Sequence, residues 1–165
     1  MHIHSPRENI PQQPDCASLG QWRALTRQAN AVFAGANPLD ALRLYEEALQ
    51  VALGLMAGPE LAATPGHCLA AFVVAHHNLS DVHRRGGDLA AALEHLCLPH
   101  DALTVIAMDP ETPRQVRLAA VAHLRETGFA LLHWQSCHGT CARTNALLRD
   151  GLVMPSLLDA GGHHC

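Results

Sequence analysis

Short breaks rich in Gly and Pro divide this chain into segments whose apolar residues recur at helical spacing. The segment 38–56 shows the pattern clearly, with apolar residues on one helical face at Leu42, Tyr45, Leu49, Leu53 and Met56. Runs of β-branched residues, which favour strands, are nearly absent. The sequence therefore predicts an all-α fold without a sheet.

The breaks and the capping residues predict six helices, at about 18–34, 38–56, 68–85, 88–108, 113–136 and 140–150. Ser18, Asp88 and Thr140 are the expected N-caps, and Gly86-Gly87 ends the third helix. Turns of two to four residues join the helices in pairs, which makes each pair antiparallel. We therefore expect three antiparallel helical hairpins. Helix five carries apolar residues nearly all round, which predicts that it is the central helix.

The length of 165 residues suits one domain, which we place at residues 18–152. Residues 1–17 are predicted to form a flexible N-terminal arm, and residues 153–165 a C-terminal tail ending His-His-Cys. The N-terminal residues lack the apolar core of a secretory signal, and no run of 18 apolar residues is present. These features predict a cytoplasmic protein whose cysteines are reduced.

The first hairpin carries small and large residues in the order seen in tetratricopeptide (TPR) repeats. The matching positions are Leu25, Ala29, Ala41, Tyr45 and Ala48. Weaker matches follow at Leu79, Ser80, Ala92 and Leu96, and again at Phe129, Ala130, Ala142 and Ala146. The chain thus resembles the TPR family, with repeats about 50 residues apart instead of the usual ~34. The resemblance implies a right-handed bundle or solenoid of stacked hairpins.

The TPR resemblance also implies a concave groove, lined by the first helix of each hairpin, that binds a protein or peptide. The positions carried over to this groove are Arg23, Asn30, His77, Asp81, Arg84 and Trp134. Arg84 and Trp134 are the expected anchors, since Arg and Trp are enriched at interface hot spots. The net charge of −4 argues against nucleic acid as the partner. We expect no membrane partner, and a homodimer stays open.

The 13 histidines and six cysteines suggest metal binding as the alternative function. His76 and His83 lie on one apolar face of helix three, and Glu126 and His133 lie on one face of helix five. If the hairpins stack in order, these four side chains converge on a site for Zn, Cu or Fe. The competing interpretation is that they are core residues held by hydrogen bonds.

The stretch HWQSCHGTC at residues 133–141 is the second candidate metal site, through Cys137 and Cys141 with Zn²⁺ or Cu⁺. Gly139 and Thr140 predict that a helix ends and another begins here, so a hairpin tip with two small apolar cysteines is the competing interpretation. We expect His133 to lie inside, close to His83, and His138 to lie outside.

Motifs for nucleophilic or nucleotide chemistry are missing from the sequence, including G-x-S-x-G, the P-loop and G-x-G-x-x-G. We therefore do not expect an enzyme. The predicted function is a TPR-like module, an adaptor or scaffold, that binds a protein or peptide in its groove. The alternative is a histidine- and cysteine-rich helical protein that binds or senses a metal.

Overall fold

A computed structural model of the chain describes residues 17–35 and 37–150. These residues are almost entirely helical, and no strand occurs among them, so the predicted all-α class is confirmed. The predicted tail at 153–165, and all of the predicted arm except Ala17, lie outside the described residues.

The first hairpin pairs α1, Leu19–Phe33, with α2, Leu42–Ala57. Ser18 caps α1 as predicted, because its side chain accepts a hydrogen bond from the Gln21 backbone N–H at 3.1 Å. The second predicted helix starts differently from expectation. Residues Pro38–Ala41 form a turn of 3₁₀ helix capped by Asn37, and α2 begins only after it.

The second hairpin pairs α4, Pro65–Arg85, with α5, Leu89–Met108. A single-turn helix, α3 at Glu60–Ala63, occupies the break before it. The start of α4 lies three residues before the predicted Cys68, since Pro65 is compatible with the first helical turn. Asp88 caps α5 by accepting from the Ala91 N–H at 3.0 Å, as predicted.

The third hairpin pairs α6, Arg114–His138, with a helix at residues 142–150, here called α7. The predicted cap at Thr140 is wrong. Cys141 precedes α7, and the Thr144 hydroxyl accepts a hydrogen bond from the Cys141 N–H at 3.4 Å. Thr144 lies three positions into the new helix turn, where a hydroxyl can reach back to the first free backbone N–H.

Hydrogen bonds between α4 and α5 show that the two helices of the second hairpin run antiparallel. The Ser80 hydroxyl donates to the Ala92 carbonyl at 2.8 Å, and His76 contacts His95 one turn further from the connection. Along the stack, α4 packs against α1, α2, α5 and α6. Thus α4 is the central helix and has the most buried residues of the described helices, whereas α6 was predicted to be central.

Small side chains let α2 and α4 approach closely. Ala52 on α2 is fully buried in the same cluster as Ala71 and Ala75 on α4, with Leu55 and Phe72 filling the space around them. Close helix packing of this kind requires small residues at the crossing point. The Ala-rich composition therefore explains how a core with few aromatic residues can still be dense.

One helix, α5, is long and apolar enough to cross a membrane by length and composition alone. Its mean hydropathy over 18 residues is 1.2, and 33% of that window is buried in the fold. The buried side of α5, including Leu103 and His100, packs against α4 and α6.

Candidate functional site

A pocket of about 490 Å³ lies between α4 and α6, the first helices of the second and third hairpins. We call it the α4–α6 pocket. It is lined by His77, Ser80, Asp81 and Arg84 from α4, Leu96 from α5, and Ala130, His133, Trp134, Cys137 and His138 from α6. The structure thus brings together four of the six residues that the sequence assigned to a groove.

Arg84 and Asp81 form an exposed ion pair on the wall of the pocket, with 3.2 Å between Arg84 Nη2 and Asp81 Oδ1. They lie three residues apart on α4, so one helical turn holds them on the same side. Exposed ion pairs of this kind contribute little to stability. Each side chain can therefore leave its ion-pair partner and bind a ligand instead. The pair provides one donor group and one acceptor group for a polar partner.

His77 supplies a buried polar atom without a partner among the described residues. Its Nε2 is buried and makes no hydrogen bond there. Burial lowers the pKa of His77, while the nearby carboxylates of Glu126 and Asp81 act in the opposite direction. Because an unpaired buried nitrogen is unfavourable, this ring is a natural contact point for a ligand in the pocket.

Trp134 lies mainly in the core instead of presenting its ring to the pocket. Its side chain is 8% exposed and packs with Leu96 and Leu131. His138 covers one side of the indole, with 4.1 Å between ring centroids. Trp134 therefore forms an apolar wall of the pocket, and its loss would affect folding as well as binding.

The other two predicted groove residues lie away from this pocket. Arg23 is exposed on α1. Asn30 is engaged within the first hairpin, where its Oδ1 accepts a hydrogen bond from the Tyr45 hydroxyl at 2.7 Å. Asn30 thus holds α1 against α2, which gives it a structural role.

The four residues predicted as a core metal site are not brought together. His76 is buried in the α4–α5 interface, and its Nδ1 lies 3.0 Å from Nδ1 of His95. His83 stacks on His95, with 5.4 Å between ring centroids. Glu126 is half exposed and pairs with His123 one turn away, at 3.6 Å. In residues 17–35 and 37–150, no three His, Cys, Asp or Glu side chains are placed to hold one metal ion.

His133 was predicted to lie inside against His83, and the structure places it on the exposed side of α6. Its Nε2 lies 3.9 Å from the sulfur of Cys137, four residues along the same helix. His138 is exposed, as expected. Cys141, the other half of the second candidate metal site, instead contacts Thr144, with 3.5 Å between sulfur and hydroxyl.

His95 was not among the predicted site residues, although it contacts two of them. It faces His76 across the antiparallel hairpin, because His76 lies ten residues before Gly86 and His95 lies eight residues after Gly87. The connection itself was recognised in the sequence, but symmetric pairing about it would have placed Cys97, two residues beyond His95, opposite His76. His95 joins His76 and His83 in a three-histidine cluster between α4 and α5.

The helical hairpins and the α4–α6 pocket together define an all-α protein with a partly polar cleft between two stacked hairpins. Residues 20–156 match the family DUF2753, which is described as a protein of unknown function. Because the match covers most of the chain, the protein belongs to this family. Neither curated proteins nor solved structures gave a match.

Proposed function

We propose that this chain is a TPR-like module that binds a protein or peptide in the α4–α6 pocket. In TPR domains the first helix of each hairpin lines the binding groove, and α1, α4 and α6 hold that position here. The packing of α4 against both α1 and α6 supports the assignment. A solenoid of this kind presents an extended surface that suits a peptide better than a small molecule.

The observation that carries the proposal is the composition of the pocket. His77, Asp81, Arg84 and Trp134 were selected from the sequence as groove residues, and all four line this one pocket. A peptide would meet polar groups at Arg84, Asp81 and His77, and an apolar wall at Trp134 and Leu96. Such a mixture of apolar surface and a few directed polar groups is typical of recognition sites.

Selection of peptides from a random displayed library, followed by calorimetric titration of the enriched peptide, tests this proposal. Replacing Arg84 with Ala removes an exposed side chain, so the fold should persist while peptide affinity falls about tenfold. Arg43→Ala is the matched control, because Arg43 also forms an exposed ion pair within its helix, with Glu47. Equal losses in both variants, or no enriched peptide, would contradict the proposal.

Metal binding is the second candidate, and it depends on the His133–Cys137 pair. The two side chains lie one turn apart on α6, with 3.9 Å between Nε2 and Sγ, and both line the pocket. Imidazole and thiolate at this spacing suit Zn²⁺ or Cu⁺. His77 on α4 and His138 on α6 also line the pocket.

Zinc titration of the reduced protein, followed by calorimetry, separates this candidate from chance binding by the His-His-Cys ending. The titration should be done with His163, His164 and Cys165 replaced by Ala, Ala and Ser. One zinc per chain that is lost in Cys137→Ser and retained in Cys141→Ser would support the pair. Retention in Cys137→Ser, or no binding at all, would exclude it.

A further inference from the structure

The outer face of α6 carries a stripe of exposed residues directly opposite its core face. The stripe consists of Leu118, Ala122, Arg125, Phe129, Leu132 and Ser136. Phe129 is 66% exposed, Leu132 50% and Leu118 44%, and these three large apolar side chains lie on one face of a single helix. The core face of the same helix runs through Val116, Ala120, Leu124, Thr127, Leu131 and Trp134. Helix α6 therefore has two apolar faces. One face packs in the core, and the other is exposed.

The spacing of the stripe is that of a helix-packing seam. Its members follow each other at intervals of four, three, four, three and four residues. This alternation is the heptad pattern, in which positions a and d of one helix pack against a second helix. The stripe spans about 27 Å of helix, at ~1.5 Å per residue. A single helix of similar length would cover it.

We propose that this face binds the same face of a second copy of the chain, with the two α6 helices antiparallel. Antiparallel packing pairs position a of one helix with position d of the other. With the two-fold axis crossing the outer face of α6 at the level of residue 127, Leu132 faces Ala122 of the second copy, and Phe129 faces Arg125 of the second copy. Two-fold symmetry repeats each contact, as an interface between identical chains requires.

Complementary side-chain sizes and a cation–π pair favour a second copy as the occupant. The large Leu132 is matched with the small Ala122, so the two helices can approach at that level. The Arg125 guanidinium can stack on the Phe129 ring of the other copy, which is a favourable cation–π contact. The chain already makes this contact internally, where Arg85 lies 4.1 Å from the centre of the Phe33 ring. Parallel packing would instead place Arg125 against Arg125.

The size of the face predicts a weak dimer that dissociates on dilution. One helical seam of this length buries on the order of 1,000 Å² in total, at the lower limit of specific interfaces. The α4–α6 pocket opens on a different side of α6, so dimerisation and peptide binding do not compete for the same residues. This inference is thus independent of the proposed function.

Sedimentation equilibrium of the full chain, in reducing buffer from about 2 to 200 µM, tests the dimer. The mass should rise from 17.7 kDa towards twice that value with concentration. Phe129→Ser should weaken the dimer about tenfold, because Phe129 is a large aromatic residue near the centre of the interface. Val105→Ser is the matched control, because Val105 is 62% exposed on α5 and lies outside the stripe.

Two results would overturn the proposal. One is a monomer throughout this concentration range, and the other is a dimer that Phe129→Ser and Val105→Ser affect equally. The melting temperature of Phe129→Ser should be measured on the dilute monomer. A clear drop there, together with a monomeric parent chain, would assign the face to residues of the same chain instead.

Discussion

His76 and His95 share one hydrogen bond across the α4–α5 interface, with 3.0 Å between their Nδ1 atoms. Such a bond needs one ring to donate and the other to accept, so at least one of the two must be neutral. Phe72 packs edge-on against His76, and His83 stacks on His95. The pair is therefore held between apolar and aromatic groups, where protonation of either imidazole to its charged form is unfavourable.

This arrangement predicts that acid destabilises the fold. Burial, with help from His95 and His77, lowers the pKa of His76 to about 4, and burial also lowers the pKa of His95. The unfolded chain binds these protons near pH 6.5, before the folded chain does. Stability should therefore be complete above pH 6.5 and fall as the pH decreases towards 4, by roughly 3 kcal/mol for His76 alone. Urea unfolding at several pH values measures the slope.

The double variant His76→Leu, His95→Leu provides the control for this acid effect. Replacing both partners by apolar residues leaves no unpaired nitrogen, so the variant should fold, and its stability should depend less on pH. His67→Ala, at an exposed position, should keep the slope of the parent chain. An unchanged slope in the double variant would show that other groups cause the acid response.

A second buried histidine links three helices. His100 on α5 is 2% exposed, and its Nε2 donates to the Leu147 carbonyl at 3.2 Å. Its Nδ1 must then accept from the Thr127 hydroxyl, 2.8 Å away on α6. Thr127→Val keeps the shape but removes that donor, so the variant should lose roughly 1–3 kcal/mol of stability.

Chemical denaturation of Thr127→Val and Thr104→Val side by side measures this effect. Thr104 also donates a hydrogen bond, but to a carbonyl of its own helix, at 2.9 Å. In Thr104→Val, the His100 carbonyl still accepts a hydrogen bond from its own helix or from water. The free energy of unfolding of this control should therefore fall by less than about 0.5 kcal/mol. Similar losses in the two variants would mean that the His100–Thr127 bond does not hold α5 to α6.

Thiol reactivity should differ sharply between the buried and exposed cysteines. Burial raises the pKa of Cys97 to about 11, and Cys68 is also buried. Hydrogen bonds from the Thr144 backbone and hydroxyl lower the pKa of the exposed Cys141. Iodoacetamide at neutral pH should therefore modify Cys141 quickly and Cys97 only after unfolding, since the thiolate is the reactive form.

Peptide mass mapping over time follows each cysteine separately. Thr144→Val should slow the modification of Cys141, because the variant lacks the hydroxyl that contacts the sulfur. Ser136→Ala should not, since Ser136 contacts Cys137 instead. Rapid modification of Cys97 in the folded chain would contradict the buried position of this residue.

The sequence predicted the helices well because their ends are encoded locally. Ser18 and Asp88 cap helices in the structure as they were expected to, since a cap depends on a few neighbouring residues. Thr140 failed as a cap because α7 begins one residue later than predicted, after Cys141, whose N–H donates to the Thr144 hydroxyl. Local patterns thus fix the existence of a helix more firmly than its first residue.

The packing face of α6 could not be predicted from the sequence, because the helix has two apolar stripes. Glu126 and His133 were predicted to lie on one face that contributes to the core, yet both are exposed. The core instead takes the opposite face, with Leu124 and Leu131. Periodicity gives the spacing of a face but not which of two faces is buried. The predicted contact between His133 and His83 failed for the same reason.

The two ends of α4 each contain a glycine, and substitutions of these two glycines by Ala should change stability in opposite directions. Gly87 has a φ of +83°, and the bonds Asp88 N–H to His83 carbonyl and Gly87 N–H to Arg84 carbonyl close the end of α4. This is the Schellman arrangement, which needs a left-handed residue at Gly87. Gly87→Ala should cost about 1 kcal/mol, because a Cβ disfavours that conformation even where space is free.

Gly66 lies in the first turn of α4, where an added Cβ would meet nothing within 4 Å. Its backbone is helical, so Gly66→Ala should stabilise the protein by about 0.5–1 kcal/mol through the lower entropy of the unfolded chain. Thermal unfolding of the two variants beside the parent chain measures both effects. If Gly87→Ala melts at or above the temperature of Gly66→Ala, the left-handed turn at Gly87 does not end α4 in the folded protein.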